Sequence, residues 1–137
     1  MEETKYSVSL KFSKREKLKS RKAIQHLFQQ RQSFHVFPLR VIWASLEPML
    51  SESPVQFAVS VSKRSFPKAV QRNRIKRIIR EVYRLNKNTL YRKLRENKGQ
   101  IGIMLLYTGK KEPSFESVEK AMKKINGILP KKIKKHA

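Results

Sequence analysis

Apolar and polar residues follow two rhythms along this chain, and each change of rhythm marks an element. From Ser13 the stretch SKREKLKSRKAIQHLFQQ sets Leu18, Ile24, Leu27 and Phe28 among lysines and arginines and reads as one helix. Ser13, with Glu16 three residues on, predicts a capping box at its start. Phe34 to Phe37 is a short extended piece ending at Pro38, and LRVIWASL over Leu39 to Leu46 is rich in strand formers. VQFAVSV then alternates, with Val55, Phe57, Val59 and Val61 on one side and Gln56, Ala58 and Ser60 on the other. From about Lys68 helical spacing takes over, with Ile75, Ile78, Ile79, Val82 and Tyr83 on one face and Asn86 and Asn88 as candidate breakers. IGIMLLY, residues 101–107, is a continuous apolar run, the mark of a strand buried on both faces. Pro113 and Ser114 open a final helix through about Ile128, and a lysine-rich tail follows.

The order α-β-β-β-α-β-α predicts an α+β sandwich, with helices against a small central mixed sheet. One domain over residues 1–137 is expected, with an ordered core of about 11–128, a ragged start (1–10) and a basic tail (129–137). Val55, Phe57, Val59 and Val61 are expected under the basic helix, joined by Ile42, Ala44 and Leu46. That leaves Val41 and Trp43 on the opposite face, near the first helix. Trp43 there fits two uses equally, a stacking platform for unpaired bases or the filler of a second small core.

Charge sharpens the picture. The chain carries 33 Lys+Arg against 10 acids, a formal net charge of +23, far beyond what solubility asks of a small domain. Lys63 to Arg84 holds nine Lys/Arg and one acid, Glu81. Lys68, Arg72, Lys76, Arg80 and Arg84 recur every four residues, with Asn73, Arg74 and Arg77 beside them. A solvated helix face normally mixes signs at this spacing, because unlike pairs gain a few tenths of a kcal/mol and like pairs lose as much. A helix that keeps the repulsion implies an anionic partner, and guanidinium groups on a rigid rod suit a polyphosphate backbone.

Catalytic chemistry is hard to find. All ten acids are Glu, and they are scattered rather than clustered as a two-metal site requires. His26, His35 and His136 show no paired ligand spacing. There is no cysteine, no phosphate-binding glycine loop and no nucleophile elbow. No catalytic residue and no metal ligand is therefore assigned. The opening MEETKYSVSLKF has no apolar signal core, so a cytoplasmic protein is expected.

The residues also resemble a known family. Val59-Ser60-Val61-Ser62-Lys63, followed by Ala69-Val70-Gln71-Arg72-Asn73-Arg74-Ile75-Lys76-Arg77-Ile78-Ile79-Arg80-Glu81, is similar to the signature of the bacterial ribonuclease P protein subunit. Phe12-Ser13-Lys14-Arg15-Glu16-Lys17-Leu18 resembles the opening of that family's first helix, and the likeness covers roughly residues 11 to 128. The chain departs at Ser65-Phe66-Pro67-Lys68, where the family has a shorter, glycine-containing turn, and over residues 86–99, which are longer than usual.

The resemblance implies that the catalyst is a large RNA, which uses Mg²⁺ to remove the 5′ leader of precursor tRNA. The protein is its cofactor, a subunit of an endoribonuclease without chemistry of its own. The RNA subunit would lie against Lys63, Arg64, Lys68, Arg72, Asn73, Arg74, Lys76, Arg77 and Arg80. A cleft between the first helix and the sheet would take the single-stranded leader, with Ile24, Phe28, Val41 and Trp43 at matching positions. The family also implies a left-handed βαβ crossover around the basic helix, against the usual right-handed rule. A ribosomal protein or another general RNA-binding protein is the alternative, equally small, basic and free of cysteine.

Overall fold

The computed structural model describes residues 12–95 and 99–136. The ragged start expected at 1–10 lies outside the described residues. A 3-10 turn (Lys14–Glu16) leads into α1 (Arg21–Gln30), β1 (Ser33–Val36), β2 (Leu39–Leu46), β3 (Val55–Val61), α2 (Ala69–Leu94), β4 (Gln100–Tyr107) and α3 (Phe115–His136). The four strands form one sheet in the order β1-β2-β4-β3. β4 runs antiparallel to β2 and parallel to β3, so α2 is the crossover between two parallel neighbours. The α+β class and the element order stand as the sequence implies.

Three boundaries differ, each for a local reason. The first helix does not begin at Ser13. Ser13 and Glu16 do close on each other, the Ser13 backbone N–H donating to Glu16 Oε1 at 2.9 Å, but only a single 3-10 turn follows. Lys17 then bridges to Phe57 beside β3, and Leu18 N–H donates to the Phe57 carbonyl at 3.0 Å. The helix proper starts after Ser20, whose hydroxyl accepts from Ala23 N–H at 3.2 Å. The basic helix does not break at Asn86 or Asn88. Asn86 Nδ2 donates to the Val82 carbonyl at 2.8 Å, and Asn126 on α3 donates to the Asn86 carbonyl at 3.0 Å. The helix therefore continues to Leu94. The closing helix runs through Pro130 to His136, because Leu129 and Ile133 are still buried against the core.

Both α2 and α3 cover one face of the sheet. Leu39, Val41, Trp43, Phe57, Ile103 and Leu105 meet Ile75, Ile79, Val82, Met122 and Ile125 in the larger core. On the opposite face α1 lays Ala23 and Leu27 over Ile42, Ala44, Leu46 and Met104. A Cβ at Gly102 would come within 2.9 Å of Leu27 Cδ1, so this glycine is what lets α1 approach β4 so closely. The loop after β2 is clamped from β4, where Gln100 Nε2 donates to the Ser53 carbonyl at 2.8 Å and its Oε1 accepts from Leu50 N–H at 2.8 Å.

A buried ion pair ties the chain's start to α2. Lys87 Nζ lies 2.6 and 2.8 Å from the two Glu16 carboxylate oxygens, with both side chains nearly fully buried. Tyr91 Oη–H donates to Glu16 at 2.7 Å, which leaves the Tyr83 hydroxyl to donate to Tyr91 at 2.7 Å. Burial drives both phenols well above their ordinary range, so they remain donors. Burial also pushes the Glu16 carboxyl upward, but the bonds from Lys87, Ser13 and Tyr91 outweigh it and hold the group below its ordinary range. Phe57 stacks on Tyr83 at 3.7 Å, and Phe12 meets both rings edge-on.

A carboxyl held low when folded adds stability above the ordinary carboxylate range and loses it as pH falls through the folded value. Glu16→Gln should therefore cost about 3–5 kcal/mol near neutral pH, because it leaves Lys87 buried without its carboxylate. Denaturant titrations should show the gap to the wild type closing as the pH becomes acidic. A gap that stays constant with pH would rule out the ion pair as its cause.

Candidate nucleic-acid interface

The outer face of α2 is built by the same periodicity that buries its inner one. With Ile75, Ile79, Val82 and Tyr83 turned into the core, Asn73, Arg74, Arg77 and Arg80 must face outward, and all four are exposed. Asn73, Arg77, Arg80 and Arg84, with Phe12 and Glu81, line an open groove of about 660 Å³. Lys63, Arg64 and Lys68 stand exposed on the connection into α2, whose first turn carries no acid. Lys76 is half-buried beside them.

The cations are not equivalent. Arg74 is held by Glu112 at 2.9 Å. Arg84 forms a fork with Glu81 at 2.7 and 2.8 Å; its hydrogen bond pulls the Glu81 carboxyl down and raises the guanidinium in turn. Arg72 turns back and donates to the Phe66 and Pro67 carbonyls, both at 2.8 Å, fastening the loop that leads into α2. Phe66 in that loop is buried beside Tyr107. Among the described residues no acid lies within ion-pair distance of Lys63, Arg64, Lys68, Lys76, Arg77 or Arg80. These six cations form a ridge whose charge is not neutralised among the described residues.

The second expected surface needs correction. Val41 and Trp43 do not line a cleft beside the first helix; they are 0% and 3% exposed in the core under α2 and α3. Ile42, Ala44 and Leu46 take the α1 side instead. The cause is register. β2 pairs with β4 and not with β3, setting Val41 opposite Leu105 and Trp43 opposite Ile103, which share the face of Val59 and Phe57. Trp43 is therefore part of the larger core, neither a stacking platform nor the filler of a second small core under α1.

Ile24 and Phe28 do lie where a cleft can form, Ile24 half-buried against the smaller core and Phe28 48% exposed. One cross-strand row on their side of the sheet stays uncovered. His35 pairs with Arg40, Arg40 with Leu106, and Leu106 with Ser60. His35 and Arg40 are exposed, and Leu106 and Ser60 half-buried. His35 Nε2 is bonded to the Thr108 hydroxyl at 2.9 Å. The strip offers a guanidinium, an apolar patch and hydroxyls, and α1 on the same face of the sheet carries the exposed Phe28 ring; a cation with an aromatic face is the combination that holds unpaired nucleotides. The sequence set Ser60 on the side of β3 away from the basic helix without naming it a site residue, and missed Arg40 and Leu106. Their signal was the parity of Ile42 and Ala58, which becomes legible only once the strand order is known.

Among the described residues no three His, Asp, Glu or Cys side chains come together as a metal site. Several acids are instead committed to cations: Glu16 to Lys87, Glu52 to Arg15, Glu81 to Arg84 and Glu112 to Arg74. The described residues gather no set of carboxylates that fits a magnesium ion. No helix among them is long and apolar enough to cross a membrane.

A profile of the Ribonuclease P family matches residues 12–129, nearly the whole described chain. The chain belongs to this family. The ribonuclease P protein component of Porphyromonas gingivalis is 40% identical over 115 residues, covering 82% of this chain and 81% of that one. The corresponding protein of Chlorobaculum tepidum is 35% identical over 106 residues, covering 72% and 69%. Among solved structures, the Staphylococcus aureus RNase P protein superposes with a TM-score of 0.63 at 19% identity, over 83% of this chain and 94% of that one. The Thermotoga maritima protein gives 0.62 at 19% identity, over 80% and 94%. These two likenesses bear on the fold. The family is the protein component of ribonuclease P, a ribonucleoprotein endoribonuclease of tRNA processing. Membership displaces the ribosomal alternative.

Arg72→Ala should cost about 1.5–3 kcal/mol of folding stability, the range of hydrogen bonds from a charged donor. Arg77→Ala and Arg80→Ala should stay within about 0.5 kcal/mol of the wild type. Thermal or denaturant melts of the three variants test this, and equal losses would mean that the ridge is not a free surface.

Proposed function

We propose that this chain is the protein subunit of a cytoplasmic ribonuclease P and acts by holding two RNAs at once. The α2 ridge, with Lys63, Arg64, Lys68, Arg72, Asn73, Arg74, Lys76, Arg77 and Arg80, takes the catalytic RNA. The strip between α1 and the sheet takes the single-stranded 5′ leader of precursor tRNA. Ile24 and Phe28 keep the place assigned from the sequence, and Arg40, Ser60 and Leu106 replace Val41 and Trp43. The observation that carries this reading is the family match over a chain whose α2 carries Lys76, Arg77 and Arg80 on its outer side with no acid partner among the described residues. Arg74 and Arg72 take part differently from their neighbours. Arg74 must exchange Glu112 for a phosphate, whereas Arg72 shapes the loop that presents Lys63 and Lys68.

Mg²⁺ belongs to the RNA side of this assembly, since no three metal-ligating side chains gather among the described residues and four of the glutamates are held by cations. The protein's part is to bind, orient and neutralise, and one domain suffices for it. Log affinity for the RNA subunit should then fall with log salt by about 0.7–0.9 for each phosphate neutralised.

Reconstitution tests the proposal directly. The protein alone should cleave no precursor tRNA at any Mg²⁺ concentration, and adding the cognate RNA subunit should give 5′ maturation. Arg40→Ala and Phe28→Ala should weaken leader-bearing precursor by about 1–3 kcal/mol each and leave mature tRNA unchanged. Trp43→Ala should cost about 3–5 kcal/mol of folding stability and weaken every ligand alike. Cleavage by nuclease-treated protein would sink the subunit reading, and equal losses on precursor and mature tRNA would sink the cleft.

A further inference from the structure

α3 carries a cationic face that the two surfaces above do not use. From Lys120 to Lys135 it has seven lysines and no acid. Its two acids, Glu116 and Glu119, sit near its start, and Glu119 accepts from Asn86 on the α2 side. Val118, Met122, Ile125, Leu129 and Ile133 are buried in the core, whereas Phe115 and Ile128 remain exposed. The lysines therefore face outward on a fixed helix. Lys123, Lys124, Lys131, Lys132 and Lys135 line a shallow depression of about 480 Å³, with Gly127 between them.

A second hollow of about 230 Å³ opens beside it, between α3 and the β1–β2 turn. Phe37, Pro38, Tyr107 and Ala121 give it apolar walls, and Lys120 and Lys124 border it. Lys124 lines both hollows, so the two are neighbours. Phe37 is 71% exposed, with His35 edge-on to its ring at 6.2 Å.

We infer that α3 and the β1–β2 turn form a further binding surface for single-stranded RNA, separate from the α2 ridge and the α1 cleft. An exposed ring over an apolar hollow suits the face of an unpaired base, and a row of ammonium groups suits a backbone followed without regard to sequence. In a duplex the bases are stacked inside and cannot reach Phe37. A lipid surface would need a continuous apolar helix face, and α3 exposes only Phe115 and Ile128, thirteen residues apart, its main apolar stripe being committed to the core. An ordinary solvated face would interleave acids with the lysines, and this one does not.

The inference does not depend on the leader cleft and can be tested apart from it. The probe is a single-stranded oligouridylate of about 12 nucleotides, within the usual footprint of such surfaces. Its affinity is measured against salt for the full chain in a Phe28→Ala/Arg40→Ala background, which removes the cleft. In that background Phe37→Ala should weaken binding about tenfold. Lys120→Gln/Lys124→Gln/Lys131→Gln should lower the salt slope by about 2, near 0.7 for each lysine on a single strand. An RNA duplex of the same length should be indifferent to Phe37→Ala. All these positions are exposed, and thermal melts of each variant, with Lys124→Gln alone as a milder change, confirm folding. Unchanged affinity and slope would overturn the inference. So would equal losses on single strand and duplex, or a stronger preference for anionic lipid vesicles.

Discussion

Because β4 is hydrogen-bonded along both edges, antiparallel to β2 and parallel to β3, its alternation fixes the face on which every neighbouring side chain lies. Ile103 sets Phe57 and Trp43 under α2 and α3, and Met104 sets Ala58 and Ile42 under α1. A slip of one residue would turn Trp43 out and bring Arg40 into the core, so register is specified by burial rather than by any one bond. The helices then inherit their positions. α2 and α3 need the apolar face, and α1 can cover only the part of the other face where Gly102 gives it room. What α1 leaves uncovered is a strip of sheet, and that strip exists because the helix is ten residues long.

Charge is distributed by the same logic. Glu16 is drawn inside, where it neutralises Lys87; Glu81 and Glu112 each take an arginine at the edge of the ridge. Like charges left on one helix face cost a few tenths of a kcal/mol per pair, small against the several kcal/mol that each buried aromatic or aliphatic side chain supplies. The fold can therefore tolerate an unbalanced exterior. Relief comes on binding, when phosphates replace solvent as the counter-charge and condensed ions are released.

Element type and order could be read from the sequence because they follow from local period. β2 and β3 lie where alternation puts them, and the basic helix turns its isoleucines inward as their spacing requires. The family signature at Arg72-Asn73-Arg74 was equally local. What could not be read was pairing. Nothing near Trp43 says that its strand meets β4 and not β3, and the assumption that consecutive strands are neighbours inverted the faces of β2. The Glu16–Lys87 pair is hidden for the same reason, since 71 residues separate its partners. A Ser-x-x-Glu motif promises a helix, yet here the carboxylate that would cap it is also claimed by a lysine on another element, and the helix stops after one turn.

A subunit without chemistry of its own must matter through geometry. Under the proposed assignment the catalytic RNA lies on α2 and the leader on the opposite face of the sheet, so the two ligands are coupled through β3 and β4. That path is stiff. Phe57 stacks on Tyr83 of α2 from one side of β3, while Ala58 lies against the smaller core on the other. Close-packed side chains on both faces leave no soft element between the two surfaces. A leader nucleotide held beside Arg40 is then held at a fixed offset from the RNA on the ridge. Positioning of this kind raises a rate without contributing a reactive group, because the orientation of the substrate is settled before the chemical step.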